Sequence, residues 1–311
     1  MGARCDPDAP RAFLSPVEAR LRLGFEYSDA IEVERAYRRS AVRDLSVALR
    51  SAISALLSVG APAREEPRPF IVSARVNAIT IAEATEAILT PEPGRARLIF
   101  FAHPHALNLA NFSPLLAKHF ARADLVLPDG VGIRIAAQLL GVALPHNLNG
   151  TDMLPLICAG AREKGLPLVL IGGKPGVAEA CAARLRELTP GLKIPIVSDG
   201  YLGTRESDKL ATRIGRLRRC VVLVGMGSPI QETWASTYLA DLPNVTAVTV
   251  GGLFDFFAGR VARAPLFWRE IGLEWLFRLC KEPRRMAGRY LLGNPLFLML
   301  ALRQRLRALR R

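Results

Sequence analysis

The residues best placed to do chemistry sit where apolar runs end in turns. Leu125-Val126-Leu127 stops at Pro128-Asp129-Gly130, and an apolar-periodic segment follows. Proline fixes φ and glycine permits positive φ, so this pattern predicts a strand, a tight turn and a helix. Asp129 then stands at the C-terminal end of a buried strand, where open α/β sheets bind ligands. A Pro-Asp-Gly turn can also serve only to cap the next helix. Three further strand ends run into glycine: Gly172-Gly173 followed by Lys174, Gly225 with Gly227, and Gly251-Gly252. Backbone N–H groups and a helix dipole at such turns attract anions, and glycine lets a phosphate come close. None is a Walker A or a complete GxGxxG. Glycine at such turns is often structural, but three on one sheet edge point to a nucleotide-diphosphate pocket.

Other polar residues fall at similar places. Gln231 and Glu232 open a helix after Ser228-Pro229; glutamate there suits the dipole, and glutamine can donate to a ligand oxygen. His103 and His105, two apart at a strand end, point to one side. No third metal ligand is near them, so they read as polar lining. Asp255, after Gly251-Gly252, can bond a ribose or sugar hydroxyl or cap a helix.

These residues need a scaffold, and the periodicities supply one. Residues 69–265 alternate short apolar runs with helical segments. Strands are expected at 70–76, 98–102, 125–127, 167–171, 193–197, 220–224 and 245–250. Helices are expected at 80–89, 106–120, from the Asp129 turn to 140, after the Asn149–Asp152 turn, through 188, at 206–218 and from 230. Thr80 with Glu83 forms a capping box, and Thr151 or Asp152 is expected to cap the helix after Gly150. Such alternation predicts an α/β fold: a Rossmann-like parallel sheet with helices on both faces and right-handed crossovers.

The flanks differ. Residues 1–68 are rich in proline, alanine and arginine. They read as a partly disordered N-terminal extension with one amphipathic helix marked by Val42, Leu45, Leu49, Ile53, Leu56 and Leu57. No convincing signal peptide opens the chain. Residues 266–311 form a C-terminal amphipathic helical appendage. The chain carries 42 Lys+Arg against 28 Asp+Glu, a net charge of +14. From Arg260 onward, thirteen basic residues face three acidic ones, so most of the excess lies there. Such a field can attract nucleic acid, an anionic membrane or an anionic substrate. The run from Leu291 to Leu302 is interrupted by Gly293-Asn294-Pro295 and is too short for a bilayer span of roughly 20 residues. The five cysteines show no CxxC or metal spacing, which suits a reducing cytosol.

Six segments occur in order with sensible spacing: LPDGVGIRIA from Leu127, NLNGTD from Asn147, IGGKPGVAEA from Ile171, GMGSPIQETW from Gly225, VGGLFDFFAGRVARAP from Val250 and GLEWLFRLCKEPRR from Gly272. Together they strongly resemble the WecG/TagA/CpsF family of bacterial glycosyltransferases, over roughly Pro69 to Leu302. The resemblance implies an inverting enzyme that uses no metal or other cofactor. It would move an N-acetylmannosamine-type sugar, or a related hexose or uronate, from a UDP-sugar to an undecaprenyl-diphosphate-linked saccharide. That implies work in exopolysaccharide or cell-surface glycan biosynthesis.

The family's general base falls on Asp129 and its PKQE glutamine on Gln231, with Ile230 in place of lysine. The family's Thr and Asn at a strand end fall on His103 and His105, and an arginine before the next turn on Asn147. Asp152 belongs to the same acceptor-side turn. The tail arginines, Arg284 and Arg285 among them, are expected at the diphosphates.

Tail residues Trp268, Leu273, Trp275, Leu276 and Phe277, interleaved with arginines, read as an interfacial surface. The expected location is therefore cytoplasmic, peripheral on the inner face of the bacterial membrane; a homo-oligomer is compatible with this. A nucleic-acid-binding protein using the arginine-rich end is the alternative, but its aromatics should interleave with basic residues as stacking platforms. Here they sit with leucine in apolar runs, so no nucleic-acid partner is expected.

Overall fold

The computed structural model describes residues 64–265, 268–269 and 273–310. The amphipathic helix expected between Val42 and Leu57 lies outside them. After a small hairpin of β1 (Phe70–Ile71) and β2 (Ala74–Arg75), the order is α1 (Ile81–Ile88), β3 (Arg97–Ala102), α2 (Pro104–Phe112), α3 (Pro114–Arg122), β4 (Leu125–Pro128), α4 (Val131–Leu140) and α5 (Gly150–Glu163). Then come β5 (Leu168–Gly172), α6 (Val177–Leu188), β6 (Ile196–Ser198), α7 (Thr204–Gly215), β7 (Cys220–Gly225), α8 (Ile230–Tyr238), β8 (Val245–Thr249) and α9 (Leu253–Phe257). The C-terminal part holds α10 (Glu274–Lys281), α11 (Pro283–Ala287), a π-helical turn (Gly288–Leu292) and α12 (Gly293–Leu309).

The six strands β4-β3-β8-β7-β5-β6 form one parallel sheet. Alternate residues of each strand face opposite sides, so burial on both faces needs apolar residues throughout. Phe100, Val126, Val222 and Val224 enter one core layer, which also holds Phe120, Ile133, Trp234 and Phe297. Ile99, Phe101, Leu127, Leu223 and Val248 enter the other, with Ile88, Met153, Ile157, Leu185 and Phe254. The α/β class read from the sequence is thus observed.

Four local expectations are corrected. The strand expected at 70–76 is a two-stranded hairpin outside the main sheet. Its turn holds Val72 at φ 59, and Gln304 of α12 stabilises it by accepting from Val72 N and donating to Phe70 O. The helix expected at 106–120 is two helices. Pro114 lacks the N–H that would continue the first, and the Ser113 hydroxyl accepts from Leu116 N to start the second. The strand expected at 193–197 pairs only over Ile196–Ser198. Asn149, not Thr151 or Asp152, caps α5; its side chain accepts from Thr151 N. The Thr80–Glu83 capping box forms as expected.

The last helix belongs to the packed body. Phe297 and Ala301 are buried in the first core layer, Asn108 Nδ2 donates to Gly293 O at 2.7 Å, and Arg305 donates to Leu140 O. No helix among the described residues is long and apolar enough to cross a membrane. The four described cysteines are unpaired, and burial pushes the thiols of Cys158, Cys181 and Cys220 up to about 12.

Candidate active site

Sheet register brings the first two chemical groups together. Ala102 pairs with Pro128, so the chain leaves β3 at His103 and β4 at Asp129 side by side. Asp129 N donates to Ala102 O at 2.8 Å, which fixes the turn. Gly130 follows at φ 88, a conformation that would strain a residue bearing Cβ. Its N–H donates to Asn147 Oδ1 at 2.7 Å. Asn147 therefore holds the turn that carries the carboxylate.

These turns open into a cleft of ≈ 460 Å³ above the C-terminal ends of β4, β3, β8 and β7. The C-terminal part of the chain forms its opposite wall through Arg269, Glu274, Trp275, Arg278, Arg285, Arg289 and Tyr290. Asp129 is half-buried in the wall of this cleft. Burial, helped by the nearby charge of Glu274, pushes its carboxyl up to about 7, against the opposing pull of Arg289 and Arg278. A carboxyl near 7 can be ionised at neutral pH and still bind a proton strongly, as a general base requires.

The cleft is rich in cationic groups. Arg134 of α4 lines it beside the tail arginines, and burial lowers its pKa to about 10, which leaves it charged. The Arg278 guanidinium lies 4.9 Å from the centre of the Phe256 ring. Burial raises Glu274 above the ordinary carboxylate range, with Arg263 and Arg278 opposing.

The two imidazoles stack at 6.1 Å with rings 6° apart. Burial, then the charge of Arg289, holds His103 well below its ordinary pKa, and the same causes lower His105. His103 is thus neutral at physiological pH. Its Nδ1 accepts from Ala106 N at 3.1 Å and lies 3.3 Å from Arg289 Nη2, which assigns the remaining proton to Nε2. Among the described residues no group of three metal-ligating side chains occurs.

On the glycine side, Gln231 is committed to the protein. Its Oε1 accepts from Gly227 N at 3.1 Å and Gly251 N at 2.9 Å, tying the β7 and β8 turns together. Its Nε2 donates to Glu232 Oε1 at 2.8 Å. Glu232 is fully buried, and burial raises its pKa despite the hydrogen bonds from Gln231 and Ser228.

Of the residues singled out from sequence, Asp129, His103, His105, Asn147, Gly227, Gln231, Gly251, Gly252 and Arg285 line this cleft. Gly172, Gly173 and Lys174 do not. Gly172 pairs with Gly225, and a Cβ there would stand 2.3 Å from Gly225 O. Gly173 N donates to Gly225 O, and Lys174 is exposed. That glycine turn allows two strand ends to approach, and the cleft lies on the other side of β7. Gly225 likewise packs against Gly251 O and the Phe254 ring. Asp152 is outside the lining, paired with Arg263 at 2.5 Å. Asp255 sits in the first turn of α9, and Arg284 is exposed, both outside the lining.

Sequence reasoning did not single out Arg134, Glu274 or Tyr290. A positively charged residue one turn after the Pro-Asp-Gly corner was the available signal for Arg134. Trp275 lines the cleft, edge-on to Tyr290 at 5.9 Å, and Trp268 packs against Phe277 at 6.2 Å.

Comparison with known proteins adds two findings. The sequence pattern described as the Glycosyl transferase WecG/TagA/CpsF family matches residues 70–311. An N-acetylglucosaminyldiphosphoundecaprenol N-acetyl-beta-D-mannosaminyltransferase of Bacillus spizizenii is 30% identical over 194 residues, covering 62% of this chain and 75% of that protein.

Proposed function

From the premise that this chain belongs to the WecG/TagA/CpsF family of glycosyltransferases, we propose that it transfers an N-acetylmannosamine-type sugar from a UDP-sugar to an undecaprenyl-diphosphate-linked saccharide. The observation that carries the mechanism is the Asp129 carboxyl at about 7 in a cleft shared with five arginines among the described residues. The Asp129 carboxylate takes the proton from the acceptor hydroxyl. The freed oxygen attacks the anomeric carbon of the donor from the face opposite the nucleotide. The bond from that carbon to the diphosphate oxygen breaks, UDP leaves with the electron pair, and the configuration inverts. General-base help of this kind is worth about 10²–10⁴-fold.

The leaving diphosphate needs positive charge. In this proposal, Arg134, Arg278, Arg285 and Arg289 supply it, together with the N–H groups of the glycine turns. The reading thus assigns no step to a metal ion. His103, as a neutral N–H donor, and His105 face the sugars. Asn147 and Gln231 act through the backbone: one holds the Asp129 turn, the other joins the two glycine turns.

Residues 69–265 serve as the catalytic core and 266–311 as an appendage that completes the cleft and docks on an anionic membrane surface. The expected docking aromatics, Trp268 and Trp275, make ring contacts within the appendage. A further supporting surface is the outer stripe of α12, where Met299, Leu302, Leu306 and Leu309 are exposed at helical spacing among arginines. This suits a peripheral enzyme on the inner face of a bacterial cytoplasmic membrane.

The test is a panel of UDP-sugars, with and without undecaprenyl-diphosphate N-acetylglucosamine, read as UDP release with and without EDTA. Release that needs both substrates and survives EDTA is expected. Release from no UDP-sugar with this acceptor would overturn the substrate assignment, and loss in EDTA would overturn the metal-free step.

A further inference from the structure

Between α11 and α12 the chain winds as a π-helix over Gly288–Leu292. A π turn holds an extra residue and so changes which side chains face inward; such turns recur at functional sites. The turn divides its residues sharply. Arg289 and Tyr290 line the cleft, and Tyr290 is buried against Trp275. The next two residues, Leu291 and Leu292, are 56% and 73% exposed. Asn108 Nδ2, donating to Gly293 O at 2.7 Å, pins the end of the turn to α2.

A single exposed leucine is ordinary on a protein surface. Here two adjacent leucines follow the cleft-lining pair Arg289 and Tyr290. They also immediately precede the helix whose outer stripe, Met299, Leu302, Leu306 and Leu309, is apolar. Exposed apolar residues thus recur from the turn that carries cleft-lining Arg289 and Tyr290 along α12, and exposed apolar patches mark interaction sites.

We propose that Leu291 and Leu292 form the subsite for the first isoprene units of the acceptor, where its hydrocarbon leaves the diphosphate. The ligand class is an isoprenoid diphosphate. Arg289 meets the anionic part and the leucine pair meets the hydrocarbon, so the two ends of one helical turn match successive parts of one molecule. This inference rests on the polyprenyl-diphosphate acceptor proposed above.

The experiment uses the full chain in detergent-free solution. It compares N-acetylglucosamine diphosphates capped with methyl or with farnesyl, and reads UDP release from the donor the panel selects. Burial of two leucine-sized contacts predicts a KM for the farnesyl acceptor lower than for the methyl one by about tenfold or more. The double variant Leu291→Ser, Leu292→Ser is expected to lose that preference, and Leu291→Met, Leu292→Met to keep it. The variant Leu302→Ser, Leu306→Ser, on the outer stripe of α12, is expected to keep the preference as well.

Wild-type preference in the serine variant of the turn would overturn the subsite. So would equal loss in the α12 variant, which would assign the preference to general apolar partitioning. A wild-type enzyme that uses farnesyl and methyl acceptors equally overturns the subsite and leaves the reaction standing. One that uses neither these nor the undecaprenyl acceptor overturns the acceptor assignment itself.

Discussion

Replacing Asp129 by asparagine separates catalysis from stability, with opposite signs. In the wall of the cleft, the carboxyl rises from 3.8 to about 7, chiefly by burial and secondarily by Glu274. A group with a raised folded pKa binds its proton more tightly folded than unfolded. The stability it contributes is full below about pH 4 and is lost as the pH rises toward 7, where the folded state must ionise it. At about 1.4 kcal/mol per pH unit, that loss reaches at most about 4 kcal/mol above pH 7. Asp129→Asn carries no charge and escapes it. The variant is expected to be more stable than the wild type at pH 8, with the gain shrinking toward pH 4. Thermal unfolding across this range reads the difference.

Transfer should fall by about 10²–10⁴-fold, the usual contribution of a positioned base. In the wild type, kcat/KM should rise with pH up to about 7 and then level, because only the ionised carboxylate accepts the proton. Glu274→Gln removes a charge that raises Asp129, so it should move this limb to lower pH; Arg289→Gln removes an opposing charge and should move it higher. UDP release with both substrates is the assay. An asparagine variant with full activity, or one less stable than wild type at pH 8, would refute the reasoning.

Other perturbations test neighbouring parts of the site. Asn147→Ala strips the acceptor from Gly130 N and should lower kcat more than it raises the KM for the UDP-sugar, at a stability cost of about 1 kcal/mol by denaturant titration. Gln231→Ala frees the N–H groups of Gly227 and Gly251 and should raise the KM for the UDP-sugar severalfold in steady-state kinetics. Thr80→Ala breaks the capping box of α1, far from the cleft, and should cost about 1 kcal/mol with kcat/KM unaltered. Leu302→Ser with Leu306→Ser should weaken flotation with anionic vesicles, whereas unchanged flotation would remove α12 from the membrane surface.

The chain's local signals act within a few residues, and those were readable. Pro128, Gly130 and the apolar runs around them specify a strand, a turn and a helix by backbone constraint alone. Asp129 follows at the strand end, and the Thr80–Glu83 cap follows from side-chain reach. The order of six segments likewise marked the family, because the motifs lie along the chain itself. Which turns share a cleft is a different matter. Strand order places β7, β8, β3 and β4 together and leaves β5 on the far side of β7, so Gly172, Gly173 and Lys174 fell outside despite resembling an anion site. No periodicity carries the sheet order.

Arg134, Glu274 and the pair Arg289 and Tyr290 came to Asp129 from three separate helical segments, and their pattern within each segment is that of ordinary amphipathic surface. The raised pKa of Asp129 belongs to none of these residues singly. The sequence by itself determined the elements, the corner that carries the acid and the family. Only packing across long separations decided how dry that corner is, which charges face it, and hence whether its carboxylate can hold a proton near neutral pH.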